Sequence, residues 1–143
     1  MEQKLIFGSQ FNKVVLPLLA QANDNIKIVI FDWRFESFDV KTEIGIFNNA
    51  IISAKNRGVN VRCVVNSKTI AQRLNNLSIN ARVIESERLM HTKLLIIDDK
   101  KVVVGSHNYS QSAFSSNYEL SVFFDAFFCE KELSDYFEIM WKL

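Results

Sequence analysis

Two short segments hold most of the residue types in this chain that could do chemistry at phosphorus. The first is His91-Thr92-Lys93-Leu94-Leu95-Ile96-Ile97-Asp98, and the second, six residues after Asp98, is Gly105-Ser106-His107-Asn108. A β-branched run such as this reads as a strand, on which residues two apart share a face. His91 and Lys93 therefore point the same way, and so do Ser106 and Asn108. Asp98 has the opposite parity to His91, which makes it a poor partner for the imidazole and a better structural group at the turn. A nucleophilic imidazole, a fixed cation, a hydroxyl and an amide beside the start of a short helix near Ser110 suit an anionic phosphate group. His107 falls on the other parity from Ser106 and Asn108, so it reads as a surface or second-layer histidine.

Together the two segments spell H-x-K-x4-D-x6-G-S-x-N. This resembles the signature of the phospholipase D superfamily, the HKD motif, without a gap or a substitution. Six specified positions at fixed spacing coincide by chance on the order of 10⁻⁸ per start point. The resemblance implies an α/β fold and a two-step reaction that uses no cofactor and no metal. His91 attacks phosphorus, Lys93 and Asn108 stabilise the charged oxygens, and water resolves a phosphohistidine. Ser106 belongs to the same set. It also implies a carboxylate downstream of the G-S-x-N segment that orients the histidine, and Glu119 stands where it would fall. Long members of the superfamily carry two such motifs. A single motif, with His107 a poor internal acid, implies a homodimer that brings two His91 side chains together, as in small bacterial endonucleases.

The elements that must position these residues follow from periodicity. Helices are expected over Phe11 to Ala22 (Ser9 as N-cap, Pro17 forcing a kink or a late start), Lys41 to Arg57, Thr69 to Leu77, Ser110 to Ser116 and Glu130 to Trp141. Strands are expected over Ile26 to Phe31, Val59 to Val65, Ala81 to Ile84, Leu94 to Ile97, Val102 to Val104 and Tyr118 to Phe124. Strands alternating with helices imply an α/β fold, a mixed β-sheet flanked by helices on both faces. The phenylalanines Phe123, Phe124, Phe127 and Phe128 read as core.

Composition bounds the rest. A chain of 143 residues is one domain, residues 1–143. Its two cysteines, Cys63 and Cys129, sit in apolar runs and read as buried free thiols. With two histidines and two cysteines, no Cys/His zinc spacing can be assembled. No signal peptide and no apolar stretch long enough to span a membrane are evident, so a cytoplasmic protein without stable membrane association is expected. The formal net charge is only +1, but residues 55–101 carry +6 and residues 102–143 carry −4. The basic surplus leads into the motif, and a polyanion would be steered there if those side chains share a face. Phe31-Asp32-Trp33-Arg34 ends a buried strand, where ligands gather in open α/β sheets. Trp33 is expected to stack on a base and Arg34 to meet a phosphate, with Gly105 also on the substrate side. The reading these features favour is a metal-independent nuclease acting on DNA rather than RNA. The alternatives are a lipid phosphodiesterase or transphosphatidylase of the same chemistry, and a non-catalytic interaction domain that keeps the fold.

Overall fold

A computed structural model describes residues 2–125 and 130–143. Seven strands form one sheet: β1 (Gln3–Phe7), β2 (Asn25–Ile30), β3 (Asn60–Val65), β4 (Asn80–Val83), β5 (Lys93–Ile97), β6 (Lys101–Gly105) and β7 (Leu120–Asp125). Their order is β1-β7-β6-β5-β2-β3-β4. β2, β3 and β4 run parallel to one another, whereas β5 lies antiparallel to β2 and begins an antiparallel run through β6, β7 and β1. The helices are α1 (Phe11–Ala20), α2 (Glu43–Asn56), α3 (Lys68–Asn76), α4 (Gln111–Ser115) and α5 (Glu130–Lys142).

Helices cover both faces. On one, α1 to α4 bury a core around Phe11, Phe35, Phe47, Phe114 and the strand residues Ile26, Ile28, Cys63 and Leu95. On the other, α5 lays Phe137 and Trp141 over Val29, Val64, Leu94, Ile96 and Val102. The central strands are apolar on both sides because both are covered. Local capping sets the helix starts. The Thr42 hydroxyl accepts from the Gly45 N–H, Ser67 from Ile70 and Ser110 from Ala113. Gly58, with φ +100°, closes α2 in the left-handed conformation that a side chain disfavours.

The periodicity reading locates every helix and six of the seven strands. It misses β1, whose burial shows no alternation because only Ile6 faces the core. It also misassigns Ser9, which lies in a 3-10 turn over Gly8–Gln10; α1 begins at Phe11 with Gln10 as N-cap and no side-chain cap, and runs through Pro17. β7 starts at Leu120, two residues later than expected, because Asn117 and Glu119 serve the loop before it. Cys63 is fully buried and burial pushes its thiol pKa upward. Phe123 is core and Phe124 half-buried; Phe127, Phe128 and Cys129 lie outside the described residues.

Candidate active site

The start of β5, the end of β6, the start of β7 and the carboxyl end of β2 meet at one end of the sheet. The pairing makes this so: Ile30 lies opposite Lys93, Leu94 opposite Val104, and Gly105 opposite Ser121. An open depression of about 730 Å³ forms there, lined by His91, Thr92, Lys93, Val104, Gly105, Ser106, Asn108 and Leu120. His91, Lys93, Ser106 and Asn108 thus line one spot, although of the four only Lys93 lies within a strand.

His91 is exposed and lies two residues before the start of β5. The Lys93 ammonium stands 3.0 Å from His91 Nδ1 and 3.2 Å from Nε2, and donates to the His91 carbonyl at 2.9 Å. An ammonium has donors only, so a ring nitrogen that accepts from it carries a lone pair. The contact therefore suits a His91 that is neutral, the state a nucleophile needs. Desolvation pushes the Lys93 pKa down and the negative charge of Glu119 partly offsets this. Asn108 is half-buried and its Oδ1 accepts from the Asp32 N–H at 3.2 Å. Among the described residues, nothing accepts from its Nδ2, which remains a donor.

Glu119 is at the site, but its contacts differ from those expected. Its Oε1 accepts from Ser106 Oγ at 2.5 Å and its Oε2 from Asn117 Nδ2 at 3.0 Å. Ser106 Oγ also accepts from the Leu120 N–H at 2.9 Å. Within one chain the carboxylate thus fastens the Ser106 hydroxyl and acts on Lys93 through space, rather than gripping the His91 ring. Gly105 lines the depression through its backbone. Its lack of a side chain answers a packing need, because a Cβ there would lie 2.4 Å from Ser121 Cα.

Asp98 follows the last residue of β5, at the far end of the hairpin from His91. Its carboxylate accepts the backbone N–H groups of Asn23, Asp24 and Asn25 at 3.0, 2.7 and 3.1 Å. His107 is 2% exposed, with Nδ1 2.7 Å from Ser121 Oγ and Nε2 2.9 Å from the Gly8 carbonyl. Its ring packs on Phe11 at 4.8 Å between centroids, and burial lowers its pKa.

Trp33 corrects an expectation. It is 3% exposed, and its indole N–H donates to Asn48 Oδ1 at 2.8 Å among Phe35, Phe47 and Tyr109. A bridge from Trp33 to Tyr109 turns the ring inward, so it cannot stack on a base. Arg34, next in sequence, is exposed and makes a 3.3 Å ion pair with Asp32. It borders a second crevice shared with Ser110, Gln111, Ser112, Ser115 and Ser116.

The basic surplus of residues 55–101 is partly spent away from the depression. Arg62 pairs with Glu138 of α5 at 2.8 Å, Lys101 with Asp125 at 3.4 Å, and the Arg82 guanidinium lies 4.1 Å from the Trp141 ring centre. Sequence reasoning also passed over two residues that fix the approach to β5. Asn66 Nδ2 donates to the Phe31 and Met90 carbonyls, and Tyr136 Oη lies 2.5 Å from Thr92 Oγ1. Neither belongs to a local motif; only the partly apolar run ending at Phe31 hinted that this strand end matters. Among the described residues, no cluster of three or more His, Cys, Asp or Glu side chains is placed to hold a metal ion.

Comparison with known proteins agrees with this geometry. The family described as cardiolipin synthase, PLD-like domain, matches residues 15–141, and the chain belongs to the phospholipase D superfamily. The fold is shared with Nuc, a phospholipase D family member from Salmonella typhimurium, at a TM-score of 0.79 and 22% identity over 99% of this chain and 95% of that one. Among curated relatives, phospholipase D Y of Dictyostelium discoideum is 39% identical over 90 residues, covering 55% of this chain and 20% of its own length. The virion nicking-joining enzyme of Vaccinia virus (strain Western Reserve) is 29% identical over 153 aligned positions, covering 95% of this chain. The chain spans 36% of that enzyme's length, so each relative is a much longer protein.

Proposed function

We propose that this chain is a phosphodiesterase that cleaves nucleic acid, DNA in preference to RNA, through a covalent phosphohistidine at His91 in a homodimer. The observation that carries this is the convergence of the His91 imidazole, the Lys93 ammonium and the free Asn108 amide on one open depression. An entering phosphate draws the Lys93 ammonium off the imidazole, which uncovers the ring nitrogen. The nitrogen lone pair forms the P–N bond, the P–O bond to one alcohol breaks, and Lys93 and Asn108 hold the equatorial oxygens. The leaving oxygen takes a proton from an imidazolium. That group, now neutral, then takes a proton from water, whose oxygen attacks phosphorus and breaks the P–N bond. Charge on the phosphoryl oxygens is met by Lys93 and Asn108, and no step is routed through a metal.

The acid must be a second imidazole, and His107 cannot be it, because both its nitrogens are engaged in the interior. We assign the role to His91 of a second copy. Beside the depression, Leu5, Phe7, Leu120 and Tyr118 are 58, 55, 51 and 106% exposed. Phe7 lies opposite Leu120 and Leu5 opposite Val122, so these β1 and β7 residues form one apolar sheet face. Leu120 belongs both to this face and to the lining of the depression, and this continuity supports a second copy docking there.

Exposed Arg34 fits a neighbouring backbone phosphate. The likeness to the nicking-joining enzyme supports a nucleic-acid substrate. A lipid phosphodiester is the second reading, favoured by the cardiolipin-synthase description of the matching family and by the phospholipase D relatives. Among the described residues, no helix is long and apolar enough to cross a membrane. Nicking of supercoiled plasmid in EDTA, lost in His91→Ala and in Lys93→Ala, is the expected result. Headgroup release from phosphatidylglycerol vesicles without nicking would replace the nuclease with the lipid enzyme. Full activity in a monomer, measured by sedimentation equilibrium at the assay concentration, would remove the dimer.

A further inference from the structure

The phosphohistidine reaction leaves a problem beside His91. The imidazole becomes a cation, either as phosphoimidazolium or as the proton-donating imidazolium of the second copy, with the Lys93 ammonium, though drawn onto the phosphate, still beside it. Two like charges this close repel, and on the His91 side residues 90–92 belong to no strand.

Phe31, the residue after β2, meets both groups. Its ring centroid is 4.6 Å from that of His91, with the planes tilted by 51°, and 5.2 Å from Lys93 Nζ. Its backbone is tied to the same segment: the Phe31 N–H donates to the Thr92 carbonyl at 2.9 Å. Asn66 completes the link, one amide group donating to the Phe31 carbonyl at 3.1 Å and the Met90 carbonyl at 3.0 Å. Main chain and ring together hold His91 at a fixed height over the end of β2.

We propose that Phe31 is a positioning residue for the reaction, its aromatic face serving as a shared shelf that keeps the His91 imidazole and the Lys93 ammonium side by side while both carry charge. The physical reason is the ring quadrupole. A π face attracts a cation, so it favours the charged forms of both neighbours and offsets part of their mutual repulsion. An aliphatic side chain of similar size fills the space and supplies no such attraction. The proposal rests on His91 acting as the nucleophile, as argued above.

Two substitutions separate shelf from filler. Phe31→Leu keeps bulk and removes the π face, and Phe31→Tyr keeps the face; Phe31→Met replaces the leucine variant if that one does not fold by circular dichroism. With bis(p-nitrophenyl) phosphate as probe, Phe31→Leu is expected to lower kcat by about 10- to 100-fold through misplacement of the reacting groups. KM should change little, and Phe31→Tyr should restore most of kcat. Wild-type kcat in folded Phe31→Leu, or a loss in Phe31→Tyr as deep as in Phe31→Leu, overturns the proposal. Carbethoxylation by diethyl pyrocarbonate gives a reading that needs no substrate. Followed by the ultraviolet absorbance of carbethoxyhistidine, the reaction reports on His91, since of the two histidines only His91 is exposed. Losing the shelf frees Lys93 from the ring nitrogens, so Phe31→Leu should react faster than wild type and Phe31→Tyr at the wild-type rate. If the wild-type protein cleaves no diester at all, the phosphodiesterase reading falls, and the carbethoxylation rates alone decide the shelf: equal rates in all three proteins overturn it.

Discussion

The β5–β6 hairpin has two ends, and the protein treats their charges in opposite ways. At the turn, Asp98 and Asp99 both take left-handed backbone conformations, with φ of 55° and 56°. Asp98 is ringed by three backbone donors, and Asp99 accepts from Lys27 Nζ at 2.6 Å and from Asn25 Nδ2 at 3.1 Å. Lys27 itself is buried, and the attraction between the two charges is accompanied by hydrogen bonds that make such burial tolerable. At the open end, Lys93 rests against a neighbour's imidazole and the Asn108 amide nitrogen is uncommitted. Arg34, close by, has a single long ion pair. Charge satisfied from within stabilises the fold. Charge left for an outside partner is where the proposed phosphodiester would bind. One motif supplies both ends, which is why its Asp and its His cannot be interchanged in role.

Four substitutions test whether the two ends are separable. The largest effect belongs to His91→Ala, which should lower the rate by more than about 10⁴-fold, the scale of losing a nucleophile. Its thermal midpoint should stay at the wild-type value, since the side chain is exposed; a collapse of the midpoint would tie the open end to folding. Asp98→Ala should do the reverse. Leaving three backbone donors without their charged acceptor should cost about 2–4 kcal/mol in urea unfolding. Its kcat in the folded protein should remain near wild type, and a catalytic loss at full stability would break the division. Gly105→Ala sits between the ends in character. The added Cβ would press on the Ser121 backbone of β7, and the spreading of β6 from β7 should cost about 1–3 kcal/mol, measured by the same unfolding.

The smallest expected effect is a shift in pH dependence. The negative charge of Glu119 favours the ammonium form of Lys93, whose pKa desolvation has already lowered. Glu119→Gln removes that support and lowers the Lys93 pKa further. The alkaline limb of the rate profile should then move to lower pH, because the ammonium needed for transition-state stabilisation is lost sooner. An unchanged limb, or one that moves to higher pH, would mean that Lys93 does not set it.

Much of this was legible in the order of residues. The motif's spacing puts His91 and Lys93 together and Asp98 away from them, although the strand itself covers only Lys93–Ile97. The N-caps were not legible: Ser9, the one N-cap the sequence suggested, lies in a 3-10 turn, whereas Thr42, Ser67 and Ser110 start helices. The larger misses are long-range. β1 shows no alternation, and its place is set by pairing with β7, more than a hundred residues away. Trp33 sits at a strand end that suggested a rim, yet a bond to Asn48 and three aromatic neighbours turn it inward. Glu119 stands at the expected position in the chain, but its partners are Ser106 and Asn117. The segment charges summed to a basic stretch, and α5 spends part of it through Glu138 and Trp141.

The sequence by itself determined the fold class, through its alternation of strands and helices, and the family, through the resemblance of its H-x-K-x4-D-x6-G-S-x-N spacing, because both are carried by the order of residues along the chain. The tertiary structure alone decided what surrounds the motif: the shelf under His91 and Lys93, the fastening of Ser106 by Glu119, and the apolar strip on β1 and β7. These depend on which distant strands pair and how closely they approach, and no local pattern encodes that, since the same apolar residue serves equally well as core or as open surface.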